Sequence, residues 1–98
     1  MKGRLDFHRL ADQELNDAAQ YYERESMGLG LAFLTEVERS VEMILQHPEA
    51  APAVLGNVRR TLLRRFPYGV LYSIKPNGIR ILAIMNLKRR PAYWVGRR

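Results

Sequence analysis

The apolar positions of this chain change period once, near residue 58, and the change divides the sequence into a helical part and a strand part. From about Leu10 to Glu25, Ala11, Leu15, Ala18, Ala19 and Tyr22 recur at helical spacing. Asp12, Glu14, Asp17 and Glu23 fill the opposite side, so the spacing predicts an amphipathic helix. "SMGLG" breaks the pattern. A second helix is predicted from about Leu29 to Gln46, with Phe33, Leu34, Val37, Val41, Ile44 and Leu45 on its apolar face and His47–Pro48 as its stop. So short a break makes the two helices an antiparallel hairpin. Ahead of them, residues 3–8 ("GRLDFH") put Leu5 and Phe7 on one side if extended, which suits an edge strand.

"PEAAPAVLGN" carries two prolines and a glycine and reads as a loop leading from the helices to a sheet. After it, "VRRTLLRRF", "YGVLYSI" and "IRILAIMN" are rich in β-branched and aromatic residues. "KPNGI" supplies an Asn-Gly turn between the last two, so the three form an antiparallel meander. The fold class expected is α+β, in the order β-α-α-β-β-β: an N-terminal edge strand and a helix hairpin packed on one face of a small antiparallel sheet. Val37, Val41 and Leu45 are expected to face that sheet and to meet Val70 or Leu71. A chain of 98 residues holds one core, so residues 1–98 are expected to form a single domain.

Charge changes the picture more than composition does. The formal net charge is +6, but all ten acids lie in the first fifty residues beside five bases, whereas residues 51–98 hold eleven bases and no acid. Such a field favours a polyanion or an acidic peptide as partner, because cations near phosphates release counterions and speed encounter. A plainer role is to protect exposed strand edges with cations. The absence of Cys removes disulfides and thiolate chemistry together and fits a reducing compartment. Apolar runs fall short of the roughly 20 residues that span a bilayer, and "MKGRLDFHRL" lacks the apolar core of a signal peptide; a cytoplasmic location without membrane contact is expected.

The chain resembles the RelE/ParE superfamily of toxins from bacterial type II toxin-antitoxin systems, often labelled plasmid stabilisation proteins. The anchors are "AAQYYERESMGLGLAFLTEVERSVEMILQHPEAAP", "RRTLLRRFPYGVLYSI" and "IRILAIMNLKRRPAYWVGRR". Within them, "YYE" with "GLG", "RFPY" before a strand and "RRPAYW" at the end form the specific signal. The resemblance implies a growth-inhibiting toxin neutralised by a cognate acidic antitoxin in a hetero-oligomer. It also implies one of two targets, DNA gyrase or ribosome-bound mRNA. An alternative is a non-toxic member that keeps only antitoxin binding.

The mRNA-cutting branch works as a metal-independent endoribonuclease, without a cofactor. It needs a base for the 2′-hydroxyl, cations on the phosphate and an acid for the leaving oxygen. In that branch cations alternate along the strand matching "RRTLLRR" and a basic residue follows the strand's Tyr. Arg60 fits, but Leu62 and Gly69 stand at the other two positions. Many relatives carry a His where Asn86 stands, and an amide cannot exchange a proton near neutral pH. His8 reads as a polar strand-to-helix residue and His47 as a helix C-cap. Arg60, Arg89, Arg90 and Tyr93 remain as candidate catalytic residues, with Arg65, Arg80, Lys88 and Trp94 as candidate target-binding residues; Trp94 and Tyr68 are also large enough to be packing residues. Glu36 and Glu38, like Glu23 and Glu25, read as a solvated helix face rather than metal ligands.

Overall fold

In a computed structural model, which describes residues 4–98, the chain forms β1 (Arg4–Phe7), α1 (Arg9–Glu25), α2 (Leu29–Gln46), β2 (Ala53–Leu55), β3 (Val58–Leu62), β4 (Tyr68–Lys75) and β5 (Gly78–Asn86). The five strands make one sheet in the order β1-β5-β4-β3-β2. The α+β layout and the helix hairpin stand as the pattern predicts them. The sheet, however, is mixed: β1 runs parallel to β5, pairing Arg4 with Gly78 through Phe7 with Ile81, while every other neighbour is antiparallel. The helix hairpin returns the chain on one face of the sheet, which lets the first strand lie beside the last in the same direction.

Three local details also depart from the pattern. The segment read as a loop contains β2, joined to β3 by Gly56–Asn57, where Gly56 supplies φ +57. The β4–β5 turn is Pro76–Asn77, with Lys75 paired to Gly78, so Gly78 is the first strand residue rather than part of the turn. Proline's fixed φ suits the first central turn position, and a Cβ at Gly78 would collide with the main chain of Arg4 on β1. β3 ends at Leu62, and the connection to β4 turns Phe66 inward, where it is buried.

α1 begins where His8 Nδ1 accepts a hydrogen bond from the Leu10 N–H at 3.0 Å, so His8 is an N-cap. α2 begins at Gly28 with no side-chain cap of its own. Glu23 of α1 supplies one, its carboxylate accepting from the N–H groups of Gly28 and Gly30 at 3.0–3.1 Å. A Cβ at Gly30 would meet Ala19 O and the Glu23 side chain, so the helices approach there only through glycine. The pairing of "YYE" with "GLG" thus has a direct cause: the acid of the first motif caps the helix opened by the second. Glu23 is not merely part of a solvated face.

The helix-side core joins Ala11, Ala18 and Ala19 of α1 with Phe33, Val37, Val41 and Ile44 of α2 and Val70, Tyr72, Ile79, Ile81 and Ile84 of the sheet. At its end, Tyr22, Phe33, Phe66 and Tyr68 stack mostly edge-to-face with centroids 4.8–6.1 Å apart. One expectation is corrected here and one alternative is decided. Ile44 is 2% exposed and Leu45 41%, because spacing of four, four and three carries the contact line from Phe33 through Val37 and Val41 to Ile44. Val70 meets the helices, but Leu71 lies on the opposite sheet face with Ala83, Met85 and Trp94.

That opposite face is covered by the C-terminal segment, so the sheet's centre is buried on both sides and Ile81 through Met85 are all buried in sequence. A bulge at Leu82 shifts the phase, which lets Ile81 and Ile84 both point to the helices and Ala83 and Met85 away. No helix among the described residues is long and apolar enough to cross a membrane.

Val41→Asp and Ile44→Asp would bury an unpaired carboxylate and are expected to cost on the order of 4 kcal/mol or more, enough to unfold a marginal domain. Leu45→Asp should cost less than about 1 kcal/mol. Thermal melting of the three variants checks the helix face, and equal losses at 44 and 45 would overturn it.

Candidate functional site: the cationic end of the sheet

Three segments converge at one end of the sheet: the last turn of β3, the 63–67 connection and the turn after β5. The Leu87 N–H donates to Pro67 O at 2.9 Å, tying the second to the third. Asn86, cross-strand partner of Tyr68, shapes that turn: its Oδ1 accepts from Lys88 N–H at 2.9 Å and its main-chain O accepts from Arg89 N–H at 3.0 Å. The residue that lacks a proton-transfer group is therefore the one that bends the chain and presents Lys88, Arg89 and Arg90, all exposed.

Arg60 sits at the same end on β3. Its aliphatic stem lies across Gly69, where an added Cβ would meet Arg60 Cγ and Cδ at 3.2 and 3.3 Å. The absence of a basic side chain at 69 is thus what makes room for Arg60. Arg65 is exposed, with its guanidinium 5.6 Å from the Phe66 ring centroid. The Arg64 and Arg65 N–H groups both donate to Glu36 Oε2, so Glu36 of α2 fixes this connection and is more than a solvated charge. Arg65, Lys88, Arg89 and Arg90 thus stand on the two segments that the Leu87–Pro67 bond joins, and Arg60 on the neighbouring strand β3.

Arg80 and Trp94 are not part of that end. Arg80 lies near the other end of β5, where its guanidinium donates to Asp6 Oδ1 at 2.8 Å and to Arg98 O at 2.6 Å. Trp94 is buried against Leu71, Ala83 and Met85 with its Nε1–H donating to Pro91 O at 2.8 Å, which makes it a packing residue and leaves no free indole face for a base.

Tyr93 lies between the exposed end and the interior. The Arg89 guanidinium sits 4.2 Å from its ring centroid and that of Arg97 5.0 Å, so two cations share one aromatic ring. Its hydroxyl is buried without a hydrogen-bond partner in good geometry. Burial first, then the neighbouring Glu14 carboxylate, push its pKa far above the ordinary phenol value, against the weaker pull of Arg97 and Arg89. A phenol in this state neither gives nor takes a proton near neutral pH.

Glu14 and Arg97, neither of which the sequence singled out, hold this arrangement in place. Arg97 Nη1 and Nη2 donate to the two oxygens of Glu14 at 3.0 and 2.9 Å, and Nη1 also donates to Leu82 O at 3.0 Å. Glu14 Oε1 accepts from the Ile84 N–H at 3.0 Å. β1 covers β5 only as far as Ile81, and His8 N–H donates to Ile81 O as the chain leaves for α1. The ion pair satisfies the main chain of β5 just past that point. No three His, Asp or Glu side chains among the described residues converge as a metal site would require.

Glu14→Ala is expected to destabilise the fold by roughly 3 kcal/mol, since it leaves a largely buried guanidinium and a strand N–H unpaired. Because the folded pKa of Tyr93 is raised, its neutral form contributes stability that is complete below the ordinary value of 10.0 and lost as pH rises beyond it. Thermal melting between neutral and strongly alkaline pH should show the wild type weakening above that value and Tyr93→Phe weakening less. Identical profiles would count against a buried hydroxyl.

Two comparisons with known proteins point the same way. In the chromosomal ParDE TA system from P. aeruginosa, one chain superposes with a TM-score of 0.75 at 22% sequence identity, over 89% of this chain and 98% of that one. At that identity the likeness is one of fold. None of the curated proteins matches this sequence. A family described as the ParE toxin of type II toxin-antitoxin system, parDE, matches residues 5–91, nearly the whole of the chain. The chain belongs to the ParE toxin family of type II toxin-antitoxin systems.

Proposed function

We propose that this chain inhibits growth by docking the cationic end of its sheet on a protein target, DNA gyrase, rather than by cutting mRNA, and that a co-encoded acidic antitoxin neutralises it. The observation that supports this reading is the state of the groups that could transfer a proton. Asn86 is engaged in the turn, the Tyr93 hydroxyl is buried with a raised pKa, and His8 is a helix cap whose pKa is lowered, chiefly by burial. General acid–base catalysis needs a free group within reach of substrate; the Asn86 amide has no proton to exchange, the Tyr93 hydroxyl is buried, and His8 Nδ1 is committed to the helix cap.

What the end does offer is charge in a fixed frame. Arg60 projects from β3, and Arg65, Lys88, Arg89 and Arg90 from a connection and a turn that are tied to each other and, through Glu36, to α2. Arginine forks in such a frame suit carboxylates on a protein surface as well as phosphates, and they need no proton to move. Arg89 is further restrained by its stacking on Tyr93, which lowers the entropy lost on docking.

The test is to express the wild type, Arg89→Ala/Arg90→Ala and Tyr93→Phe without antitoxin and to measure growth, gyrase supercoiling and ribosome-dependent mRNA cleavage in parallel. The double variant is expected to lose growth inhibition and gyrase inhibition by at least about tenfold while keeping its fold, since exposed charges contribute little to stability. Tyr93→Phe should keep both activities. Cleavage by the wild type that disappears selectively in Tyr93→Phe would make the protein a ribonuclease, and normal growth on induction of the wild type would leave only a binding module.

A further inference from the structure

Two leucines follow one another where β3 ends, and the core accounts for one of them. Leu63 is buried on the helix side, whereas Leu62, the last residue of the strand, is 55% exposed. Alternation along β3 sets Val58, Arg60 and Leu62 on the sheet face away from the helices, where Val58 packs against Leu71, Ala83, Met85 and Trp94. β2 accompanies β3 only as far as the bond from Arg60 N–H to Pro52 O, so Leu62 stands at an open corner of the sheet.

Its surroundings make the exposure larger than that of one side chain. Gly69, the cross-strand partner of Leu62, has no side chain to lie between them; a Cβ there would be 3.5 Å from Leu62 Cδ2 and 3.2 Å from Arg60 Cγ. The Arg60 stem and the Leu62 isobutyl group therefore close over bare main chain and form one apolar surface. One strand further on, Met85 is opposite Gly69 and is 3% exposed, packed with Trp94 of the C-terminal segment. The segment that covers this face leaves Leu62 uncovered.

We infer that Leu62 is the apolar anchor of the cationic end, and that it makes this end select a protein surface over a nucleic acid; the inference rests on the docking reading of that end. Exposed charges speed encounter, but each exposed pair adds little to the lifetime of a complex. Slow dissociation comes from an apolar centre that loses its water within a polar surround. Arg60 lies beside Leu62 on the same face, Arg64 and Arg65 follow it in the connection, and that connection is bonded to the 87–90 turn. The matching surface is an apolar side chain flanked by carboxylates. A phosphate backbone gains nothing from an isobutyl group here and would gain from another cation, so the two classes of target respond with opposite sign to a charge at position 62.

That difference in sign sets the experiment. The full chain carrying Leu62→Ala, Leu62→Met or Leu62→Arg is compared with the wild type in thermal melting, in association with and dissociation from immobilised gyrase, and in binding to single-stranded RNA. All three variants are expected to melt like the wild type, because the side chain is exposed. Leu62→Ala should leave gyrase at least about tenfold faster at a nearly unchanged association rate, whereas Leu62→Met, which keeps an apolar side chain of similar size, should stay within about threefold. Leu62→Arg should bind gyrase at least about tenfold more weakly in spite of its added charge, and RNA more tightly. Wild-type dissociation in Leu62→Ala would overturn the inference. Tighter gyrase binding by Leu62→Arg would overturn it too, by showing that charge alone holds the target; the docking reading survives both results. A wild type that does not bind gyrase would remove that reading, and the anchor with it.

Discussion

A strand that is left by its neighbour halfway must find other partners for its main chain, and β5 faces this constraint where β1 turns away into α1. The answer is the Glu14–Arg97 pair, which joins an acid from the first helix to a base 83 positions later and satisfies both the Ile84 N–H and the Leu82 carbonyl. Ion pairs this deep seldom stabilise a fold much against an apolar alternative, but breaking one side is costly. Its larger consequence is placement. By fixing Arg97, the pair lays the C-terminal segment over the second face of the sheet, buries Trp94 and sets the Tyr93 ring between two guanidinium groups.

The same logic runs through the charge distribution. The acids of the first half do not simply balance the bases of the second; several of them hold it together. Glu23 caps α2, Glu36 grips the Arg64–Arg65 main chain, Asp6 engages Arg80 and Glu14 engages Arg97. Each carboxylate meets main-chain N–H groups or an arginine that the topology brings to it. Among the cations that no acid engages, Lys88, Arg89 and Arg90 stand on the turn after β5, with Arg65 on the connection tied to it and Arg60 on β3. With four acids engaged elsewhere in this way, these cations have no carboxylate partner of their own among the described residues.

In the docking role proposed for this end, the residues beside the arginines serve as scaffold. Burial makes Tyr93 a spacer between cations, and the turn makes Asn86 a scaffold. Both roles are mechanical. They fix the frame in which the arginines stand, and a fixed frame contributes affinity by lowering the ordering cost of docking.

The sequence by itself determined the elements that are periodic or punctuated locally: two amphipathic helices, the "SMGLG" break, three strands and their α+β assembly, because side-chain spacing and turn chemistry act over a few residues. The short strand β2 was also legible in principle, since Gly56–Asn57 is a hairpin signal, but two prolines ahead of it favoured a loop. The cationic half was visible in the counting of charges, and Arg60, Arg65, Lys88, Arg89 and Arg90 were found through it and through the family resemblance. Only the tertiary structure decided the rest. The parallel pairing of β1 with β5, the choice of Ile44 over Leu45, the withdrawal of Arg80 and Trp94, and the Glu14–Arg97 pair all depend on contacts between distant segments. No local period encodes which side of a strand is left open or which charge arrives to close it, because that is settled by where the chain goes next.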